Sequence, residues 1–317
     1  MTTSLPRLAI VIPCFNEQSV LPHTLKTLTT IQQQLIEKNQ LSPDSFLYCV
    51  DDGSEDQTWS IISSAHADNT NIKGLRLARN VGHQNALFAG LMSIRKKVDC
   101  VISIDADLQD DASVIKDMIE HFQQGSDIVY GIRQSREKDT LFKRLTAAAF
   151  YKIMQRSGAK VLFNHADFRL LSARTLKQLS QFKERNLFLR GVFPLIGFQS
   201  SQVYYDRANR TMGESKYTLR KMIGLAWDGI TSFTHAPLDF IFALGVTSFF
   251  GSILLSIWAL TAKFSSHALP GWTSIMIPVC FMGGVQLLSI GVLGEYIAKV
   301  YFEVKRRPRF TKDTELF

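Results

Sequence analysis

Cysteine is scarce and scattered: the four in this chain of 317 residues, Cys14, Cys49, Cys100 and Cys280, sit singly in apolar segments with no Cys-X-X-Cys spacing. That pattern argues against a disulfide-stapled scaffold or a cysteine-ligated metal, and leaves them as reduced packing residues. No Gly-X-Gly-X-X-Gly follows the first apolar run and no Walker A sequence occurs, which disfavours a dinucleotide-type Rossmann site and a P-loop. That first run, residues 8–13, is too short for a signal peptide and lacks its small-residue cleavage pattern, so the region after it is expected in the cytoplasm. Charge is absent altogether from residues 240–262 and 272–294. Each of these stretches has 23 residues. As a helix such a stretch would run about 35 Å, enough to cross a hydrocarbon core of roughly 30 Å. A pair of buried core helices is the other reading, but core helices rarely stay apolar around their whole circumference for so long.

Between the two stretches, residues 263–271 carry one Lys, whereas Lys305-Arg306-Arg307-Pro308-Arg309 follows the second. Positive flanks stay on the cytoplasmic side, so both ends of the hairpin are expected there, in a multi-pass membrane protein. The net charge of +8 therefore faces a membrane, and no nucleic-acid partner is expected. Residues 210–233 read as an interfacial amphipathic helix, with Lys216, Arg220 and Lys221 on the cationic side and Leu219, Met222, Ile223, Leu225, Ala226 and Trp227 on the apolar one.

What the N-terminal region does contain is alternation. Short apolar runs at residues 8–13, 46–50, 74–77, 100–104 and 128–130 alternate with amphipathic ones at 19–37, 58–67, 84–94 and 112–123. Such βα alternation predicts an α/β fold with a mostly parallel, Rossmann-like sheet covered on both faces. Beyond Gly131 a helix is expected over residues 141–155, and the apolar segment 188–196 fits no single element type. The division expected is a catalytic domain over residues 1–209, a juxtamembrane segment over 210–234, two transmembrane helices over 235–300 and a basic cytoplasmic tail over 301–317.

The polar clusters that end the first four runs carry the chemistry: Pro13-Cys14-Phe15-Asn16-Glu17, Asp51-Asp52-Gly53-Ser54, Arg79-Asn80-Val81-Gly82 and Asp105-Ala106-Asp107. In a parallel sheet all four fall on the carboxyl edge, where open α/β sheets bind ligands. Asp105, Asp107 and Gln109 offer hard oxygen donors for Mg²⁺ or Mn²⁺, which bind one or two carboxylates plus substrate phosphates. A loop or helix cap is the plainer reading of an isolated Asp-X-Asp, and an ordinary turn that of Asp51 and Asp52. Carboxylates on this edge can also accept from ribose hydroxyls and a nucleobase N–H.

Pro13-Cys14-Phe15-Asn16-Glu17, Asp51-Asp52-Gly53-Ser54, Asp105-Ala106-Asp107-Leu108-Gln109 and Gly213-Glu214-Ser215-Lys216-Tyr217 resemble the signatures of family 2 glycosyltransferases of the polyprenyl-phosphate type. Asp167-Phe168-Arg169-Leu170, Glu184-Arg185-Asn186-Leu187-Phe188 and Gly229-Ile230-Thr231-Ser232-Phe233 narrow the likeness to bactoprenol glucosyltransferases, relatives of dolichol-phosphate mannose synthases. The resemblance covers essentially the whole chain. It implies a GT-A fold and inverting transfer of a sugar, glucose from UDP-glucose, to undecaprenyl phosphate for O-antigen or other surface-polymer modification. UDP-N-acetylglucosamine, UDP-4-formamido-arabinose and GDP-mannose stay open as donors, and a non-catalytic nucleotide-binding or assembly protein is the reading from another class.

By the same resemblance, Pro13, Phe15, Glu17, Asp51 and Asp52 hold the nucleotide, while Asp105, Asp107 and Gln109 surround the metal. Asp107, Asp167 and Arg133 are the catalytic candidates. Asp167 matches the family's proposed base, but a polyprenyl monophosphate, with a second pKa near 6, is mostly a dianion and needs little deprotonation. An acceptor-side role or a salt bridge to Arg169 is the alternative for Asp167. Arg133 can bind two phosphate oxygens or stand as a solvated surface charge. Arg169, Arg207, Arg210, Ser215 and Lys216 are the candidates for the acceptor phosphate, although cations at a membrane also attract anionic lipid nonspecifically. Two spans are too few for export, so a separate flippase and a downstream transferase are expected as partners. Gly283, Gly284, Gly291 and Gly294 permit close helix approach, within the hairpin or between copies of the chain.

Overall fold

The computed structural model describes residues 5–133, 165–185, 189–206, 231, 236–264 and 271–317. The helix expected over 141–155 and the juxtamembrane segment 210–234, apart from Thr231, lie outside the described residues. The chain divides into two compact units, an α/β unit that includes Arg307–Phe317 and a second unit that carries the long apolar helices.

The first half follows the expected alternation: β1 (Leu8–Cys14), α1 (Leu21–Glu37), β2 (Phe46–Asp51), α2 (Thr58–Asp68), β3 (Ile72–Leu77), α3 (His83–Ile94) and β4 (Cys100–Ser103). A 3₁₀ turn at Ala112–Val114 leads into α4 (Ile115–Gln123), then β5 (Ile128–Arg133). Every residue of β1, β2 and β4 is buried, as continuous apolar runs in a sheet covered on both faces must be. Helix α1 is held to that sheet by one stripe, Leu21, Leu25, Leu28, Gln32 and Leu35, at helical spacing.

The second half of the α/β unit departs from simple alternation: β6 (His165–Ser172), α5 (Ala173–Leu179), α6 (Leu189–Ile196) and β7 (Ser200–Tyr205). Among the described residues eight strands, the last being β8 (Lys312–Leu316), form one mixed sheet in the order β7-β5-β6-β4-β1-β2-β3-β8. Strands β1, β2, β3 and β4 pair in parallel, so their carboxyl ends share one edge as expected. Strand β6 inserts antiparallel between β4 and β5, opposing Ser103 to Arg169 and Tyr130 to Arg169. Its start therefore lies at the same edge where its neighbours finish. Strand β7 pairs in parallel with β5 and opposes Arg133 to Tyr205.

The C-terminal segment differs from the expected basic tail. Strand β8 (Lys312–Leu316) lies antiparallel on β3 and closes that side of the sheet. The Tyr48 hydroxyl donates to Glu315 Oε1 at 2.8 Å, and the Arg309 guanidinium stacks on Phe88 at 4.4 Å. A short, charged strand suits this position, because an open edge of β3 would offer unpaired backbone groups to other chains.

In the second unit, α7 (Ala236–Phe264) and α8 (Trp272–Val304) are long and apolar enough to cross a membrane. Their most apolar stretches are Pro237–Leu254 and Phe281–Val304, and neither is buried within the protein. Exposed Phe240, Phe242, Phe249, Phe250 and Leu254 on α7, and Leu287, Ile290 and Ile297 on α8, are what hydrocarbon would cover.

Gly90 tests the packing of α3 on the sheet. A Cβ at this position would stand 2.7 Å from Val50 Cγ2 and 2.8 Å from Val11 Cγ1. Gly90→Ala gains up to about 1 kcal/mol of helix propensity and loses about 1–3 kcal/mol to overpacking. A lower melting temperature of the full-length protein is expected, and an unchanged or higher one would contradict this packing.

Candidate active site

The first two polar clusters are stitched into one wall. Asn16, in the left-handed region at φ 54°, accepts the Glu55 N–H through Oδ1 and donates its own N–H to Ser54 Oγ. The Glu17 N–H donates to Thr58 Oγ1 at 2.9 Å. Asp51 Oδ1 accepts the Ser54 N–H at 3.0 Å, while Oδ2 lies 3.7 Å from Arg76 Nε. Gly53 is required in this turn: its φ is +67°, and a Cβ would come within 2.7 Å of the Arg79 carbonyl carbon.

Asp52 has a task the sequence did not suggest. Its two oxygens accept the Val81 and Gly82 N–H groups at 2.8 and 2.9 Å, which clasps the loop after β3 to the end of β2. Burial pushes the Asp52 carboxyl up, against the pull of those two amides. Both aspartates of the pair are buried, Asp51 completely, so in this structure they brace that wall from within. Pro13 is buried in β1, Glu17 is half-buried and Phe15 is 37% exposed.

Beyond β4, the Thr24 hydroxyl of α1 donates to the Ala106 carbonyl at 2.5 Å and fixes the Asp-Ala-Asp turn. The Gln109 N–H donates to Asp107 Oδ1 at 3.2 Å, and the Gln109 side chain is buried, as is its neighbour Asp110. Arg133, offered by the sequence as a phosphate ligand, directs Nε and Nη2 to Asp110 Oδ1 at 3.1 and 2.9 Å. It is a partly buried ion pair at the end of β5, and Asp110 went unremarked in the sequence.

Asp105 faces two groups from other elements. His83, the first residue of α3, places Nε2 3.5 Å from Asp105 Oδ1 and 3.8 Å from Asp167 Oδ2. Desolvation in the crevice pushes the Asp105 carboxyl up; protonated His83 would oppose this, and the charges of Asp167, Asp110 and Asp107 add to it. Asp167 reaches this place because β6 runs antiparallel to β4, and the Ser103 hydroxyl holds its carbonyl at 2.5 Å.

Two arginines grip the Asp167 carboxylate. Arg190 of α6 donates Nε to Oδ1 at 3.2 Å and Nη2 to Oδ2 at 2.9 Å, while Arg169 Nη2 pairs with Oδ1 from below. These guanidiniums overcome the burial penalty and hold the carboxyl well below the usual carboxylate range. The salt bridge to Arg169 is thus the alternative that the structure forms. Arg169 itself corrects an expectation: it has no solvent exposure and stacks on the Phe193 ring at 4.7 Å, so it cannot reach an acceptor phosphate. Arg207, Arg210, Ser215 and Lys216 lie outside the described residues. His83 and Arg190, like Asp110, are site residues that the sequence reading missed. Arg190 did leave a signal, as the lone charge in the apolar stretch 188–196.

Residues 9–180 match the glycosyl transferase family 2 pattern, which takes in β1 through α5 and every strand-end carboxylate described above. The chain belongs to glycosyl transferase family 2. This transferase is 49% identical over 317 residues to the uncharacterized glycosyltransferase YkoT of Bacillus subtilis, covering 100% of this chain and 94% of that one. It is 38% identical over 308 residues to the SfII prophage-derived bactoprenol glucosyl transferase of Shigella flexneri, covering 96% of each. Among solved structures, mannosyl-3-phosphoglycerate synthase from Rubrobacter xylanophilus is similar with a TM-score of 0.47 and 15% identity, covering 70% of this chain and 71% of that one. The mixed, mostly parallel sheet with helices on both faces is the GT-A class of fold that the sequence implied.

The residues of the transferase fit a divalent cation that shares its shell with substrate. Among the described residues no three His, Cys, Asp or Glu side chains form a ready-made cage. Asp105 and Asp107 instead supply two carboxylates on one turn, and Asp105 keeps 40% exposure and is crowded by other negative charges that a cation would relieve. Two carboxylates completed by phosphate oxygens and water is the usual arrangement for Mg²⁺.

Asp167 makes the stability of this enzyme depend on pH in a definite direction. A carboxyl whose folded pKa is depressed stabilises the fold above its unfolded value, about 3.9, and loses that contribution only as pH falls toward the folded value. Asp167→Asn removes the charge that compensates fully buried Arg169, at a cost of about 3 kcal/mol or more. Denaturant melts of the wild type and Asp167→Asn should differ by a constant margin from pH 5 to 8 and converge only below about pH 4. Convergence near neutral pH would contradict the paired state.

Proposed function

We propose that this enzyme transfers glucose from UDP-glucose to undecaprenyl phosphate, with inversion, at the cytoplasmic face of the bacterial inner membrane. The observation that carries this reading is the presence, in one family 2 chain, of the Asp105–Asp107 turn at the sheet edge and of two helices apolar enough to cross a membrane. Near-full-length likeness to a protein named bactoprenol glucosyl transferase supports both the sugar and the lipid.

In this mechanism Phe15 and Glu17, backed by Pro13, Asp51 and Asp52, line the nucleoside side of the crevice. Asp105 and Asp107, on the turn that the Gln109 N–H braces, would hold Mg²⁺ or Mn²⁺. A bound divalent cation neutralises charge on the departing UDP. The acceptor phosphate, largely dianionic at cytoplasmic pH, attacks the anomeric carbon from the face opposite UDP. The new C–O bond forms as the bond to UDP breaks, giving a β-linked lipid phosphosugar from an α-linked donor. Arg207, Arg210, Ser215 and Lys216 receive the acceptor phosphate at headgroup depth. The basic run Lys305-Arg306-Arg307-Pro308-Arg309 keeps the catalytic unit on the cytoplasmic side. Export and onward transfer of the sugar to a surface polysaccharide then fall to a separate flippase and a second transferase.

Purified full-length protein, incubated with labelled UDP-glucose, Mg²⁺ and undecaprenyl phosphate, should yield an organic-extractable sugar. Product only from UDP-N-acetylglucosamine, UDP-4-formamido-arabinose or GDP-mannose would reassign the donor, and no product from any of them would overturn the reading. Asp107→Ala should lower transfer about 100-fold or more, the scale of losing several kcal/mol of metal-borne charge stabilisation. Unchanged transfer and UDP binding in that variant would remove the metal from this turn.

A further inference from the structure

Asp167 needs one positive partner to be neutralised, and fully buried Arg169 supplies it. A second arginine, Arg190, also meets this carboxylate. Arg190 is the only charged residue of α6, and its neighbours Leu189, Val192 and Phe193 are all buried. The helix is fixed at its start by the Leu189 N–H, which donates to Gln84 Oε1 of α3 at 3.0 Å, and along its length by Phe193 under the Arg169 guanidinium at 4.7 Å. Arg190 nevertheless keeps 36% side-chain exposure and meets Asp167 through both Nε and Nη2. Through Asp167 it is placed one imidazole away from Asp105, since His83 Nε2 lies within 3.8 Å of both carboxylates. A rigidly mounted, half-exposed guanidinium next to the turn that takes the diphosphate has the charge and fork geometry to bind phosphate oxygens.

We infer that Arg190 is a phosphate-binding residue of this transferase and that Asp167, seated on Arg169, is the positioning residue that aims it. The inference rests on the phosphate chemistry of the proposed function, and the ligand is a phosphate oxyanion, supplied by either the donor diphosphate or the acceptor monophosphate. It gives Asp167 a task other than taking a proton: its two oxygens hold one guanidinium below and one beside the crevice.

The test uses the full-length protein with Arg190→Gln, Arg190→Lys and the double variant Arg190→Gln/Asp167→Asn. Arg190→Gln should raise KM about 10-fold or more for one phosphate substrate, the scale of a lost charge-assisted hydrogen bond, and leave KM for the other unchanged. A shift confined to UDP-glucose assigns the donor diphosphate, and one confined to undecaprenyl phosphate assigns the acceptor. Arg190→Lys, which keeps the charge without the fork, should fall between wild type and Arg190→Gln. Adding Asp167→Asn should raise that same KM little further, because the two side chains act as one unit. Lower melting temperature or kcat with both KM values unmoved would overturn the inference and leave Arg190 a structural ion pair. If no donor supports transfer, the proposed function fails on its own, and the melting shifts produced by UDP alone and by undecaprenyl phosphate alone still read Arg190. Loss of either shift in Arg190→Gln upholds phosphate binding, and retention of both overturns it.

Discussion

The carboxylate of Asp167 and its two arginines set the floor of the crevice. Arg169 is wholly out of water, and a guanidinium there is tolerable only with a carboxylate against it. That pairing fixes the start of β6 beside the end of β4, and from it follow the positions of α6 above, of Phe193 beneath the guanidinium, and of His83 across the gap. Removing the ion pair would do more than delete one contact. It would leave a buried charge at the point where four elements of the fold meet.

The walls above that floor are built differently. The loops after β1, β2 and β3 hold one another by backbone N–H groups donated to side chains: Asn16 to Ser54, Glu17 to Thr58, Val81 and Gly82 to Asp52. Such bonds set shape without spending surface carboxylates on surface cations. They also explain why Gly53 can be nothing else, since a Cβ there would stand 2.8 Å from the Asn80 nitrogen in the loop after β3. The two parts of the site therefore differ in kind, one an electrostatic knot and the other a lattice of amide donors.

The parallel strands and their polar ends were legible in the sequence because β1, β2 and β4 are uninterrupted apolar runs, and a buried parallel strand leaves that trace. Strand β6 was not legible. Its sequence places Asp167 and Arg169 inside the strand, and only the ion pair between them makes a buried arginine acceptable there. Strand β8 gave still less signal: Lys-Asp-Thr-Glu-Leu has no apolar alternation, and its Glu315 finds Tyr48 267 positions away. The clasp that Asp52 makes on the Val81 and Gly82 amides was not legible either, because a motif names a residue without saying which way its oxygens face. His83 and Arg190 owe their places to long-range register, which local spacing does not encode.

Strand β8 has a consequence for how the molecule is made. The α/β sheet draws its edge strand from chain that follows both apolar helices, so synthesis delivers most of the sheet first, then α7 and α8, and the last strand only afterwards. Until then the β3 edge stands open. Completion of the α/β sheet therefore waits until both apolar helices have been synthesised.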